Sequence, residues 1–157
     1  MAAVLVGIDG SPGSQRALEW AAGEAKLRGA DLHVVHAYRS EWVYYPEYAA
    51  VRTIVTPTNL EAEAKLVTER ALDELGALGE SLTITTETVN DTNAAHALLG
   101  RAGDAELIVV GSAGRTGLKR LLLGNTVEDV FDGSVAAVLG VRGTSREPLT
   151  SATISQV

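Results

Sequence analysis

The sequence predicts an α/β fold, a doubly wound five-stranded parallel sheet with helices on both faces, for which the order 3-2-1-4-5 is taken. Three observations predict it. The strand-like segments, such as Ala3 to Asp9 and Leu107 to Val110, are continuously apolar rather than alternating, as strands covered on both faces are. They alternate strictly with segments of helical period, giving five strands and four helices. Finally, glycine marks the turns where two of the strands end, at Asp9-Gly10-Ser11 and at Gly111-Ser112-Ala113-Gly114. Parallel strands need crossovers, and right-handed crossovers wind the chain outward from a central pair.

The elements follow in order. Ala3 to Asp9 forms the first strand, and Gly10-Ser11-Pro12 punctuates it, with Ser11 as N-cap and Pro12 as first helical residue. Leu18, Ala21, Ala22 and Ala25 recur at helical spacing, and Gly29 supplies the stop. Leu32 to Ala37 is the second strand. Thr58 with Glu61 three residues on reads as a capping box, and Leu60, Ala64, Val67, Ala71, Leu75 and Leu78 make one face of the helix behind it. Leu82 to Val89 interleaves Thr and Glu with apolar residues and reads as a strand near an edge. A short helix spans Asn93 to Arg101, and Leu107 to Val110 is the next buried strand. The last helix is centred on Asn125 to Phe131 and ends at Gly133, leaving Val135 to Val141 as the final strand.

Two segments fall outside this scheme. Tyr38 to Tyr48 carries five of the seven aromatic residues and exceeds an ordinary connection. It fits a lid or contact surface and, equally, a hydrophobic plug over the helices. From Gly143 to Val157 the chain is rich in Ser and Thr without a helical period, so disorder is expected there, with one domain over residues 1–142.

Bulk properties exclude several function classes. A chain of 157 residues with 46% hydrophobic content can bury a core without staples. The absence of cysteine removes disulfides, thiolate metal sites and cysteine nucleophiles. A net charge of −7 opposes general affinity for nucleic acid, though a mononucleotide samples only local charge. No apolar run approaches a membrane span, and Met1 leads directly into a strand, so a cytoplasmic location and no membrane partner are expected.

In a sheet of order 3-2-1-4-5 the strand order reverses between the first and fourth strands, where a ligand is expected. Their carboxyl ends carry the two glycine-marked turns, so both meet at one crevice. Gly111 and Gly114 there remove Cβ atoms from the path of phosphate oxygens and permit positive φ. Gly124 does the same before the last helix, where Asn125 is an N-cap type with Glu128 at capping-box spacing. The amides of Asn125, Thr126 and Val127 would face an anion with the helix dipole behind them. Arg115, Lys119 and Arg120 form a basic cluster in the loop between. Familiar phosphate loops do not fit. Gly114-x2-Gly117 leads to Leu118-Lys119-Arg120 with no Ser or Thr for magnesium, and Asp9 stands where a dinucleotide fingerprint needs glycine. A carboxylate there repels pyrophosphate and suits the ribose or base half of a nucleotide; its alternative role is that of a helix-cap aspartate.

Val6-Gly7-Ile8-Asp9-Gly10-Ser11, Leu107-Ile108-Val109-Val110, Gly111-Ser112-x-Gly114-Arg115 and Leu122-Leu123-Gly124 resemble, over residues 3–142, the universal stress protein family with its Gly-x2-Gly-x9-Gly ATP signature. The resemblance implies a Rossmann-like, adenine nucleotide alpha hydrolase-like fold. It also implies an ATP pocket lined by Gly7, Ile8, Asp9, Ala37, Val110, Gly111, Ser112, Gly114, Arg115, Gly117, Gly124, Asn125 and Thr126, with adenine meeting the backbone of Ala37. Asn125 departs from the family's usual Ser or Thr, and Gly133-Ser134-Val135-Ala136 lacks its usual proline. The resemblance further implies homodimers. Val135 to Val141 is expected to be an exposed apolar edge that pairs with its own copy, with Arg142 stopping the ladder.

Other chemistry is weakly marked. His33 and His36 are three apart on a strand and face opposite ways, so they share no metal, and His96 has no partner at ligand spacing. All three read as structural or solvated. Asp9 and Glu128 could hold a magnesium ion through phosphate. Nothing supplies a hydrolytic base or a Gly-x-Ser-x-Gly elbow, so a binding protein with at most slow ATP hydrolysis is expected. Two alternatives stay open: a module of the same fold that works through protein contacts without nucleotide, and a small hydrolase or transferase using the same cleft.

Overall fold

The computed structural model describes residues 2–38, 57–112, 137–142 and 152–154. The aromatic segment after Tyr38, the loop holding Gly114, Arg115, Gly117 and Gly124, and the helix expected at Asn125 lie outside the described residues.

The strands are β1 (Ala3–Ile8), β2 (Asp31–Tyr38), β3 (Ile84–Asn90), β4 (Ala105–Ser112), β5 (Ala137–Arg142) and β6 (Ala152–Ile154); the helices are α1 (Pro12–Arg28), α2 (Pro57–Leu75) and α3 (Ala94–Leu99). The sheet runs β3-β2-β1-β4-β5-β6, parallel throughout except that β6 pairs antiparallel with β5. The first five strands thus have the expected order 3-2-1-4-5. β1 lies at the centre with Val4, Leu5 and Val6 fully buried, as its unbroken apolar run requires.

Two clusters sandwich the sheet. On one face Val4, Val6, Leu32, Val34 and Val109 pack against Ala17, Leu18, Ala21, Ala22 and Ala25 of α1 and Ala71 and Leu75 of α2. On the other, Leu5, Val35, Ile108 and Val138 pack against Ala95 and Leu98 of α3. Alanine on the inner stripe of α1 lets that helix lie close to the sheet. Ser11 caps α1, its side chain accepting from the Ser14 N–H, and Pro12 occupies the first turn. Gly29 ends the helix at φ 62°, where Ala30 N–H reaches back to the Ala25 carbonyl at 2.9 Å.

Several boundaries and roles differ from expectation. α2 begins at Pro57, so Thr58 lies inside the first turn rather than capping it; proline at the first position presets the helix. Leu78 follows α2 in a 3-10 turn over Gly76–Leu78 and is 42% exposed, because that turn rotates it away from the stripe. β3 starts at Ile84, not Leu82, since the Leu82 N–H is held by the Gly79 carbonyl in a turn. The largest difference lies in the tail. Ala152–Ile154 forms a strand where disorder was expected, with Leu139 opposite Ile154 and Val141 opposite Ala152. The outer edge of β5 is therefore covered here by the chain's own residues, and Arg142 belongs to β5, opposite Ser112 of β4. No helix among the described residues is long and apolar enough to cross a membrane.

Candidate functional site

The strand order reverses between β1 and β4, and their parallel register sets Gly7 beside Val110. Ile8 therefore ends its strand alongside Gly111, and Asp9 leaves the sheet at the level of Ser112. The end of β4 meets the start of α1 closely. A Cβ placed on Gly111 would lie 2.5 Å from the Gly13 carbonyl oxygen and 2.9 Å from the Ser14 nitrogen, both in the first turn of α1. Glycine at 111 is thus required by backbone-to-backbone packing between β4 and α1. It sits in regular strand without positive φ, which corrects the expectation that Gly111 turns left-handed. Gly7 has an analogous and softer role: its Cβ would approach Leu98 Cδ1 of α3 to 2.9 Å, a flexible side-chain end. Gly7 therefore packs toward α3.

The turn after β1 is built from its own polar groups. Gly10 adopts φ +77°, and the Asp9 carboxylate accepts the Ser11 N–H through Oδ1 at 2.9 Å. Ser11 Oγ accepts the Ser14 N–H at 3.2 Å, while Ser14 Oγ donates to the Ser11 carbonyl at 2.9 Å. The α1 terminus is therefore capped internally. α2 braces this turn from outside: Val67 lies against Gly10, and Gln15 Nε2 donates to the Ala71 carbonyl at 3.1 Å.

Of the residues predicted for the site, the structure brings Ile8, Asp9, Val110, Gly111 and Ser112 to the carboxyl ends of β1 and β4. Ala37 lies near the end of β2, opposite Val89 of β3. Gly114, Arg115, Gly117, Gly124, Asn125 and Thr126 lie outside the described residues, as does Glu128. Sequence reasoning missed three groups: Gly13, whose carbonyl lies under Gly111; Val67, against Gly10; and His36. His36 is only 8% exposed, and its Nδ1 lies 2.8 Å from the Ile8 carbonyl oxygen. A polar residue inside the buried run Val34-Val35-His36-Ala37 was the available signal.

A separate set of titratable groups lies around β3 and the turn after it. Arg101 is hydrogen-bonded to Glu87 and holds that carboxyl below its ordinary range, with His33 Nε2 3.6 Å from the other oxygen. The Asp91 carboxyl is lowered by its hydrogen bond to His96 Nδ1 at 2.7 Å, then by the Asn93 N–H. His33 is tied to β3, whereas His36 bonds to β1 among the residues facing α1 and α2. Among the described residues no cluster has the make-up of a metal site.

Comparison with known proteins accords with this architecture. The family model described as "Universal stress protein family" matches residues 1–142. A universal stress protein of Mycolicibacterium smegmatis is 32% identical over 143 residues, covering 89% of this chain and 48% of that protein. The chain thus spans about half the length of the curated relatives it matches. Among solved structures, a universal stress protein in complex with cAMP aligns with a TM-score of 0.65 at 26% identity, covering 91% of this chain and 98% of that one. The universal stress protein from Archaeoglobus fulgidus in complex with dAMP shares the fold with a TM-score of 0.53 at 19% identity, covering 90% and 98%. The family match over residues 1–142, on a sheet of this order, places the chain in the universal stress protein family.

Proposed function

We propose that this chain is a nucleotide-dependent regulator that holds ATP, optionally with Mg²⁺, at the crevice between the carboxyl ends of β1 and β4. The observation that carries this reading is the packing of Gly111, near the carboxyl end of β4, on Gly13 of α1, beside the turn in which the Asp9 carboxylate accepts the Ser11 N–H. The cAMP complex of a related protein supports an adenine nucleotide as the ligand class. In this reading Asp9 accepts a ribose hydroxyl, the Ala37 backbone meets adenine, and Gly114, Gly124, Asn125 and Thr126 supply donors to the phosphates. Arg115 and Gly117 belong to the same phosphate loop. In this reading the chain binds its ligand, with at most slow ATP hydrolysis.

A homodimer through β5 belongs to the same proposal, with a condition. Ala152–Ile154 occupies the outer edge of Leu139–Val141, so a second copy reaches that edge only after those residues leave it.

Acid extraction and chromatography of the purified protein should release adenine nucleotide. Titration calorimetry with ATP should show affinity weakened about 10- to 100-fold in Asp9→Ala, the cost of losing one hydrogen bond to a charged acceptor. Unchanged affinity in that variant would place the ligand elsewhere.

A further inference from the structure

We infer that His36 is a positioning residue, whose ring fixes the peptide between Ile8 and Asp9 and thereby aims the Asp9 carboxylate into the crevice. The inference rests on the nucleotide-binding reading for its ligand, but not for its geometry. Ile8 and His36 are register partners in the parallel β1–β2 pair, and Ile8 is the last residue of β1. At that point the backbone leaves the sheet and the His36 ring takes hold of it, Nδ1 lying 2.8 Å from the Ile8 oxygen. A carbonyl can only accept, so Nδ1 carries a proton and donates it to the Ile8 oxygen. The bond forms where Ile8 is 3% and His36 8% exposed, so water competes little for either group.

The consequences run along the chain. The Ile8 carbonyl shares its peptide plane with the Asp9 nitrogen, so holding one orients the other. Asp9 Oδ1 in turn accepts the Ser11 N–H, and Ser11 caps α1. One path of bonds therefore joins the end of β2 to the carboxylate and then to the helix. Burial alone does not account for histidine here, since an apolar residue would fill the space beside Val34 and Ile8 without a polar atom to satisfy.

Three substitutions in the full chain separate the bond from the bulk. His36→Asn keeps an N–H donor one bond from Cγ, at the place of Nδ1. His36→Gln puts its donor at the place of Nε2, and His36→Leu keeps only apolar volume. Two readouts apply: the amide resonances of Asp9 and Ser11 in the ligand-free protein, and the dissociation constant for ATP by calorimetry. His36→Asn should leave both near the parent values. His36→Gln and His36→Leu should move the Asp9 and Ser11 resonances and weaken ATP about tenfold, the scale of one internal hydrogen bond. Parent-like resonances in His36→Leu, or equal displacement in His36→Asn and His36→Leu, would overturn the inference. A parent protein that fails to bind ATP would sink the nucleotide reading instead, while the resonances still decide the role of His36.

Discussion

At the scale of single residues, the crevice is held by contacts between main chains, and these set what substitution can report. Gly111→Ala drives a methyl group to 2.5 Å from the Gly13 oxygen, where neither backbone can yield cheaply. It should destabilise the protein by about 1–3 kcal/mol, and the thermal midpoint followed by circular dichroism should fall by several degrees. Gly7→Ala meets only the end of Leu98 and should cost less; the reverse ranking would show that α1 does not rest on β4 as described. The sequence made Gly111 visible but not its packing on Gly13, because a glycine at a strand end looks the same whether or not a helix approaches it. His36 was legible as a buried polar residue, though not as a bond to Ile8, since register partners emerge only from the assembled sheet.

At the scale of elements, the ion pair of Glu87 in β3 with Arg101 after α3, and the hydrogen bond of Asp91 after β3 with His96 in α3, tie this side of the sheet together in a pH-dependent way. The Glu87 carboxyl is lowered first by its hydrogen bond to Arg101, and the Asp91 carboxyl by its hydrogen bond to His96. A carboxyl whose folded pKa lies below its unfolded one stabilises the fold above the unfolded value, near 4 for these residues, and loses that contribution as pH falls through the folded value. Glu87 is partly exposed, so solvent tempers its share. The urea midpoint of the parent should therefore fall more steeply below about pH 5 than that of Glu87→Gln. Identical slopes would show that Arg101 and Glu87 do not pair in solution. Element types were readable where hydrophobicity was continuous, as in β1, β2 and β4. Boundaries were less so: Thr58 and Leu82 carried plausible local signals that Pro57 and the Gly79 turn override.

At the scale of the molecule, alternation and handedness gave a doubly wound sheet, and the first five strands have the order 3-2-1-4-5 taken for it. β6 could not be read in the same way. Ala152-Thr153-Ile154 has no apolar period of its own, and a three-residue strand exists only because β5 offers it a ladder. Ending the chain after Arg142 should free that edge and strengthen self-association, measurable as a lower dimer dissociation constant by sedimentation. Equal constants with and without residues 143–157 would place any dimer interface away from β5.

That last ladder has a practical bearing on handling the protein. A purification handle appended beyond Val157 would hang from the segment that closes the sheet, and could displace it or pin it in place. One fused ahead of Ala3 would emerge at the amino end of the central strand, away from the crevice, and would leave both the closure and the oligomer measured in its presence undisturbed.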